Sequence, residues 1–167
     1  MKTPAPPCST AVLGALLLCV PTDAGSNGMA LTPPLTWRSW NQFQCGINQT
    51  LIEDMYERIA ARTRTVGGKP TSLLDLGYQH VGLDDNWQAC GTGVKGSFYD
   101  ADGNPLVNTT TFPDMGAMVE HAHAQGLKAG FYLNNCICGI GPGTFEGEAE
   151  EKIYQGSVRA LVRWKFD

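Results

Sequence analysis

The stretch YQHVGLDDNW, residues 78–87, joins a short apolar run to two adjacent carboxylates. The apolar run predicts a buried strand. Aspartate is depleted from strands and costly to bury, so Asp84 and Asp85 need a reason to stand where this run ends. That reason depends on what lies beside the strand in the fold.

A strand and an amphipathic helix precede this stretch. LTWRSW, residues 35–40, is rich in aromatic side chains and predicts the first strand. The pattern over residues 47–62 predicts a helix, Thr50 and Glu53 could form a capping box at its start, and VGGKP at 66–70 ends it. The apolar residues that recur along this helix are Leu51, Ile52, Met55 and Ile59.

A second and a third helix follow on either side of another strand. Residues 91–111 predict an extended loop or a small hairpin, and Pro113 is expected in the first turn of the second helix. Gly126 ends that helix, residues 127–135 predict the third strand, and a third helix begins near Ala149. The helical apolar positions are Met115, Met118, Val119 and Ala122 in the second helix and Tyr154, Val158, Leu161 and Val162 in the third.

The alternation of strands and helices predicts an α/β fold with a parallel sheet. Three strands are few for a parallel sheet, which needs helices on its faces and several strands. We therefore expect a partial (β/α)8 TIM barrel comprising about the first three βα units, with residues 25–167 as the truncated N-terminal part of a catalytic domain. The alternative is an independent flavodoxin-like domain, which normally needs about five strands.

The N-terminal residues 1–24 are predicted to be a secretory signal peptide. Residues 11–20 form an apolar stretch too short to span a bilayer, and the small residues Thr22 and Ala24 suit a cleavage site. This predicts a secreted or lumenal protein, lysosomal or vacuolar locations included. The alternative is an apolar leader on a cytosolic protein. No other stretch is apolar enough to cross a membrane, and the net charge of −4 argues against a nucleic-acid partner.

In a secreted protein the cysteines could form disulfides and two sequons could carry glycans. Asn48 and Asn108 begin the sequons NQT and NTT, each a candidate glycan site. Removal of the leader leaves four cysteines, which allow three pairings that the sequence does not resolve. A zinc site is the rival interpretation, but the C-x-C spacing in this set is not typical of zinc ligands. The disulfide candidates are Cys45, Cys90, Cys136 and Cys138.

Polar and aromatic side chains stand where each predicted strand ends. Active sites of (β/α)8 barrels lie at the C-terminal ends of the strands. Aromatic faces and carboxylates in one cleft suit a sugar, because the faces stack on C–H surfaces and the carboxylates accept hydrogen bonds from hydroxyl groups. The strand-end residues are Trp40 and Asn41, then Asp84, Asp85 and Trp87, then Tyr132, Asn134 and Asn135.

The acidic pair suits sugar binding better than bond cleavage. Neighbouring strand residues point to opposite faces, so Asp84 and Asp85 are poorly placed to act as acid and nucleophile across one glycosidic bond. They are better suited to binding different hydroxyl groups where the strand opens into its loop. The alternative is that one aspartate caps a turn and the other binds a calcium ion or a nearby arginine.

Four blocks of sequence in this order resemble glycoside hydrolase family 27, the secreted retaining α-galactosidases and α-N-acetylgalactosaminidases. The resemblance covers residues 31–148. The blocks are LTPPLTWRSWNQFQC, YQHVGLDDNW, FPDMGAMVEHAHAQGLKAGFYLNN and CGIGPGTF.

The resemblance implies roles for several residues. Trp40 corresponds to a tryptophan that lines the galactose pocket, Asp84 and Asp85 to the acidic pair that holds galactose hydroxyls, and Tyr132 to a tyrosine near the substrate. Cys138 corresponds to a cysteine whose family partner follows the nucleophile and is not in this chain. No metal or organic cofactor is implied.

The chain departs from the family pattern in ways that bear on the disulfides. The family MGW is LTW at residues 35–37, and the cysteine of the family DDCW is Asn86. Cys45 therefore lacks its usual partner, for which Cys90 could substitute, and Cys136 is an additional thiol.

The resemblance offers two interpretations of the last residues. The family nucleophile lies in a K-[YFL]-D motif, which Lys165, Phe166 and Asp167 match, making Lys165 a substrate-binding candidate and Asp167 a nucleophile candidate. The alternative aligns LVRWKFD with the end of the preceding helix, so that the nucleophile strand begins beyond Asp167. Helical periodicity up to residue 162 without an obvious turn former favours this alternative.

The expected function is retaining hydrolysis of terminal α-linked galactose in an oligosaccharide or glycoconjugate. The family's acid/base lies on a later strand, so we expect the isolated chain to be inactive. The alternatives are an α-N-acetylgalactosaminidase, a non-catalytic carbohydrate-binding or vestigial fragment, and an unrelated α/β domain that binds a cation. No membrane partner is expected, the oligomeric state is not assigned, and the histidines receive no role.

Overall fold

A computed structural model describes residues 31, 33–133, 138 and 144–167. The predicted signal peptide and the residues Asn134, Asn135 and Cys136 lie outside the described residues. Within the described part of the chain, no helix has the length and apolar character needed to cross a membrane.

Three short parallel strands form the sheet that organises the fold. They are β1 (Thr36–Arg38), β4 (His80–Leu83) and β5 (Lys128–Phe131), in the order β1-β4-β5. The predicted parallel sheet is confirmed. A flavodoxin-like order would place the first strand between the next two, whereas here β4 is central, so that alternative is wrong. Successive parallel strands that are also neighbours in the sheet are what the wall of a barrel requires.

The register of the sheet brings the three strand ends together. Thr36, Trp37 and Arg38 pair with His80, Val81 and Gly82 of β4. Those same β4 residues pair with Lys128, Ala129 and Gly130 of β5, and Leu83 pairs with Phe131. The residues that follow each strand therefore leave the sheet at one common edge.

The chain turns into helix at the end of β1. The predicted strand over residues 35–40 ends earlier, because a short helix, α1 (Trp40–Phe43), begins within it. Ser39, which is fully buried, connects the two elements. Its backbone N–H donates to the carbonyl oxygen of Gly82 at 3.3 Å, so the turn is attached to the central strand.

The first long helix, α2 (Gln49–Ala60), buries one apolar face. The predicted capping box of Thr50 and Glu53 is wrong. Asn48 is the N-cap, in an extended conformation, and its side-chain oxygen accepts from the backbone N–H of Leu51 at 2.9 Å. The buried residues of α2 are Ile52, Tyr56 and Ile59.

A β-hairpin stands where the sequence predicted only the end of the helix. Strands β2 (Arg64–Val66) and β3 (Lys69–Thr71) pair in antiparallel fashion. Gly67 and Gly68 occupy the turn with φ of 57° and 80°, values that suit a two-residue turn with positive φ at both positions.

The long segment after β4 adopts the small-hairpin alternative. Isolated antiparallel bridges join Gln88 to Val107 and Tyr99 to Pro105. At the tip, one carboxylate oxygen of Asp100 accepts from the backbone N–H groups of Asp102 and Asn104, at 2.9 and 2.8 Å. This ordered segment, residues 88–107, is the hairpin arm of the fold.

The second long helix, α3 (Met115–Ala124), buries the predicted residues Met115, Met118, Val119 and Ala122. Pro113 is not in its first turn, because Asp114 is the N-cap and accepts from the backbone N–H of Ala117 at 2.9 Å. Gly126 has a φ of 81° and follows the helix, as predicted.

The third long helix, α4 (Glu148–Trp164), faces the core with a different side from the one its apolar periodicity suggests. Tyr154 and Val158 are exposed, and Val162 is 74% exposed. Small residues make the close contact, since a Cβ on Gly156 would overlap the carbonyl oxygen of Gly103 in the hairpin arm. The buried residues of α4 are Gly156, Ser157, Ala160 and Trp164.

Trp87 is a core residue and not part of the strand-end cleft that the sequence suggested. It is fully buried, and its ring packs edge-on to Phe98 and Trp164 with centroids 5.8 and 5.9 Å apart. Its indole Nε1–H donates to the carbonyl oxygen of Tyr132 at 3.0 Å. Trp87 thus ties the chain after β4 to the chain after β5.

A disulfide joins Cys90 to Cys138. This pairing differs from the expectations that Cys90 would substitute as the partner of Cys45 and that Cys138 would pair with a cysteine beyond this chain. Cys45 is an exposed free thiol. The covalent link fixes the start of the hairpin arm to the segment after β5.

We expect Gly156→Ala to destabilise the chain by about 1–3 kcal/mol, because the added methyl group overlaps the backbone of the hairpin arm. Gly116→Ala in α3 is the matched control, since its Cβ would meet only a carboxylate oxygen of Asp114 at 3.4 Å. That control should gain up to about 1 kcal/mol from helix propensity. Urea denaturation measures both. Equal stability of the two variants would contradict the close packing.

Replacing Cys90 and Cys138 together by alanine should lower the free energy of unfolding by about 2–4 kcal/mol, because the unfolded chain loses a cross-link that spans 48 residues. Cys45→Ala should leave stability within about 0.5 kcal/mol of the wild type, since the thiol is exposed. Denaturation under oxidising conditions measures both effects. Peptide mapping that finds Cys45 in the disulfide would refute this pairing.

Candidate functional site

A cleft of about 410 Å³ opens at the common edge where the three parallel strands end. Its volume is within the range of small-molecule sites. It brings together five of the strand-end residues that the sequence analysis named, with Arg38 of β1 as the sixth lining residue. The lining residues are Arg38, Trp40, Asn41, Asp84, Asp85 and Tyr132.

Two aromatic rings give the cleft apolar surface. Trp40 begins α1 directly after the first strand and is 40% exposed, and Tyr132 directly follows β5 and is 36% exposed. Exposed aromatic faces stack on the C–H surfaces of sugars, so both rings can serve as contact surfaces for a ligand in the cleft.

Asp84 makes hydrogen bonds with three nearby residues of the same chain. One carboxylate oxygen accepts from Arg38 Nε at 3.0 Å, and the other accepts from the backbone N–H of Asp85 at 2.9 Å. Its own backbone N–H donates to Ser39 Oγ at 3.0 Å. The arginine partner matches what the alternative interpretation expected for one of the two aspartates, and the Asp84 side chain still lines the cleft.

Asp85 is buried and belongs to a rigid loop. Its carboxylate accepts from Gln88 Nε2 at 2.7 Å, and Gln88 Oε1 accepts from the backbone N–H of Asn86 at 2.9 Å. Asn86 has a φ of 80°, a conformation that asparagine tolerates better than most residues, and its side chain donates to the carbonyl oxygen of Cys45. The acidic pair is therefore pre-organised by its own loop.

Arg38 is the residue of this cleft that the sequence analysis missed. It ends β1, lies opposite Gly82 in the sheet, and has its guanidinium carbon 5.7 Å from the centroid of the Tyr132 ring. The signal in the sequence was a charged residue within the predicted strand, two positions before Trp40. Its pairing with Asp84 depends on the strand register.

The arrangement suits binding of a polyhydroxylated ligand. Carboxylates accept hydrogen bonds from hydroxyl groups, a guanidinium donates to them, and the rings supply apolar contact. Within the described residues, no group of three or more metal-binding side chains occurs.

The candidates at the end of the chain do not join this cleft. Lys165 caps α4 with a φ of 59°, and its ammonium group lies 2.6 Å from a carboxylate oxygen of Glu120 on α3. Asp167 lies beside the second residue of β5, where its backbone N–H donates to the carbonyl oxygen of Ala129 and its carboxylate accepts from the Ala129 N–H, both at 2.8 Å. Tyr132 marks the opposite end of that strand.

The Asp167 carboxylate also pairs with His123 of α3, with Nε2 and Oδ2 2.9 Å apart. Partial burial alone would raise the pKa of Asp167, but the hydrogen bonds from His123 and the Ala129 N–H outweigh it, and Lys128 adds a favourable charge. The pKa is therefore lowered. These contacts give Asp167 a structural role at the start of β5.

A larger cleft of about 670 Å³ lies elsewhere, between the hairpin arm and the end of α4. Its one carboxylate is Asp114, which already caps α3, and its aromatic residues are Phe112 and Trp164, both buried. It lacks the exposed rings and paired acids of the strand-end cleft, so its chemistry is less suited to a sugar.

The sequence of the chain matches a known protein family. Residues 32–166 match the family model described as "Alpha galactosidase A". This range contains every residue of the strand-end cleft.

Curated relatives carry two related names. The chain is 36% identical over 149 residues to an "Alpha-galactosidase" of rice, Oryza sativa subsp. japonica, covering 86% of this chain and 30% of that protein. It is 31% identical over 150 residues to an "Alpha-N-acetylgalactosaminidase" of chicken, Gallus gallus, covering 84% of this chain and 33% of that protein. The chain thus spans about a third of the length of these relatives.

Solved structures of α-galactosidases share the fold. The enzyme from Saccharomyces cerevisiae superposes with a TM-score of 0.62 at 25% identity, covering 84% of this chain and 27% of that one. α-Galactosidase I from Mortierella vinacea superposes with a TM-score of 0.61 at 28% identity, covering 84% and 31%. The partial (β/α)8 barrel that the sequence predicted is therefore confirmed.

We expect Asp167→Asn to lower the free energy of unfolding at pH 6, by less than about 1 kcal/mol because the pair is partly exposed. The folded-state pKa of Asp167 is lowered, so its stabilisation is present above the unfolded value near 4 and is lost as pH falls through the folded value. Chemical denaturation at several pH values should show the stability difference between wild type and variant shrinking as the pH falls below the unfolded value. A gap that widens on acidification would refute this role.

Proposed function

Because the chain belongs to glycoside hydrolase family 27, we propose that the protein acts in the hydrolysis of terminal α-linked galactose with retention of configuration. The substrate would be an oligosaccharide or glycoconjugate, and the location would be secreted or lumenal. The observation that carries this proposal is the cleft in which Trp40, Asp84, Asp85 and Tyr132 converge.

Each residue of the cleft has a chemical task in this proposal. Trp40 and Tyr132 contact the apolar faces of the galactose ring, and Asp84 and Asp85 accept hydrogen bonds from its hydroxyl groups. The pre-organised loop around Asp85 limits the ordering cost of binding.

Bond cleavage requires a different pair of carboxylates. Retaining hydrolysis needs a nucleophile that forms a glycosyl–enzyme intermediate and an acid/base that first protonates the leaving oxygen and then activates water. Asp84 is ion-paired with Arg38, and Asp85 is hydrogen-bonded to Gln88, so both suit binding. Among the described residues that line the cleft, no carboxylate occurs besides this pair.

We also propose that Asp167 is not the nucleophile. Its contacts with Ala129 place it beside the start of β5, at the opposite end from the cleft. The interpretation in which the nucleophile strand begins beyond Asp167 is consistent with those contacts, and Lys165 correspondingly has no proposed substrate contact.

A second candidate activity is the hydrolysis of terminal α-linked N-acetylgalactosamine. The similarity to the chicken protein named "Alpha-N-acetylgalactosaminidase" supports it. The two sugars differ in the substituent at carbon 2, and the groups that line the described cleft could serve the ring of either.

The isolated 167-residue chain should release no aryl group from an aryl α-galactoside at an enzyme-like rate, because the described cleft supplies binding groups without an opposed pair of catalytic carboxylates. A chromogenic assay with a reagent blank measures this. Turnover by the isolated chain would refute the division between binding and catalytic groups.

The same chain should bind galactose weakly, with a dissociation constant in the millimolar range, and Trp40→Ala should weaken binding at least tenfold by removing a stacking surface. Tyr154→Ala is the matched control, an exposed aromatic residue on α4 outside the cleft. NMR titration measures the affinities and thermal unfolding the stability. Unchanged binding by Trp40→Ala would contradict the proposed site.

A further inference from the structure

We propose that Arg38 is a specificity-determining residue that binds a ring hydroxyl of the sugar together with Asp84. This inference rests on the proposed function and deepens it. It adds a cationic hydrogen-bond donor to a site otherwise described by carboxylates and aromatic rings.

The sheet itself places Arg38 in the cleft. Arg38 ends β1 opposite Gly82, and an ideal Cβ on Gly82 would lie 2.8 Å from Arg38 Nη1 and 3.2 Å from Cγ and Cζ. The side chain therefore lies across the glycine on its way to the carboxylate of Asp84. Any larger residue at position 82 would occupy part of the volume that the guanidinium now fills.

The geometry of the Arg38–Asp84 pair leaves N–H donors of the guanidinium for a ligand. Arg38 Nε donates to Asp84 at 3.0 Å, and within residues 33–133 and 144–167 no other acceptor is hydrogen-bonded to Arg38. A guanidinium has five N–H donors, so the Nη groups have capacity beyond this contact. The Arg38 side chain is 43% exposed while that of Asp84 is 14% exposed, so the cation is the more accessible partner.

A hydroxyl group matches this pair because it both donates and accepts. A sugar hydroxyl can donate to Asp84 and accept from Arg38, or two adjacent hydroxyls can divide these roles. The ring of Tyr132, 5.7 Å from the guanidinium carbon, limits where the ligand can lie. The pair therefore favours sugars that present a hydroxyl at this point over epimers or deoxy sugars that do not.

The local charge favours a neutral ligand over an anionic one. Two carboxylates, Asp84 and Asp85, line the cleft beside one guanidinium, so the lining groups carry net negative charge when ionised. A sugar acid would approach Arg38 against this charge. We therefore commit to the hydroxyl groups of a neutral sugar as the groups that Arg38 binds.

The test uses the 167-residue chain with galactose and its monodeoxy derivatives in NMR titrations. Arg38→Gln should weaken galactose binding roughly ten- to hundredfold, the usual worth of a charge-assisted hydrogen bond. For the one deoxy sugar that lacks the contacted hydroxyl, the variant and the wild type should bind with nearly equal affinity. Arg58→Gln is the matched control, since Arg58 is ion-paired with Asp54 on α2 outside the cleft.

A second variant tests the same contact without removing a charge. Gly82→Ala should displace the flexible guanidinium and weaken galactose binding at least severalfold, while thermal stability stays close to that of the wild type. This variant keeps the proposal testable if Arg38→Gln fails to fold.

The outcomes separate this inference from the proposed function. If the wild type binds no galactose, the proposed function fails and this inference falls with it. If the wild type binds but Arg38→Gln binds equally well, this inference alone fails. Equal loss across galactose and every deoxy sugar would assign Arg38 only to holding Asp84 in place, and tighter binding of galacturonate than of galactose would assign it to a carboxylate. Either result overturns the proposal.

Discussion

The parallel pairing of β4 with β1 on one side and β5 on the other is the constraint on which the rest of the structure depends. Parallel strands that share a register end at one edge, and each of these strands continues directly into a polar or aromatic residue. The hydrogen bond from the indole of Trp87 to the carbonyl oxygen of Tyr132 connects the segment after β4 to the residue after β5. The position of the cleft is thus set mainly by the strand register, and individual side chains set its chemistry.

The sequence predicted the parts of the fold that local periodicity controls. The apolar pattern predicted α2, α3 and the central strand, because most of their buried residues are large and apolar. The buried face of α4 was not predicted because three of its four buried residues are glycine, serine and alanine, which allow close approach and carry little apolar signal. The cap at Asn48 was missed because a neighbouring Thr50 and Glu53 fit a familiar motif, while the extended backbone at Asn48 is a property of the folded chain.

The candidate site also contains residues that the sequence could predict and a contact that it could not. Trp40, Asp84, Asp85 and Tyr132 could be predicted because each lies near the end of a predicted strand, and barrel geometry gathers such residues. The contact of Arg38 with Asp84 could not, because it joins residues on different strands and depends on register and on the missing side chain of Gly82. A tripeptide match made Asp167 a candidate, but a motif carries no information about which end of the barrel a residue occupies.

The central claim is that the strand register gathers a sugar-binding cleft from residues distant in the chain. Chemical-shift mapping of the 15N-labelled chain during titration with galactose tests it most directly. The account predicts that the perturbed amides and indole groups cluster around Trp40, residues 84–86 and Tyr132, while the cleft between the hairpin arm and α4 stays unperturbed. Perturbations centred on that second cleft, or scattered over the surface, would contradict it.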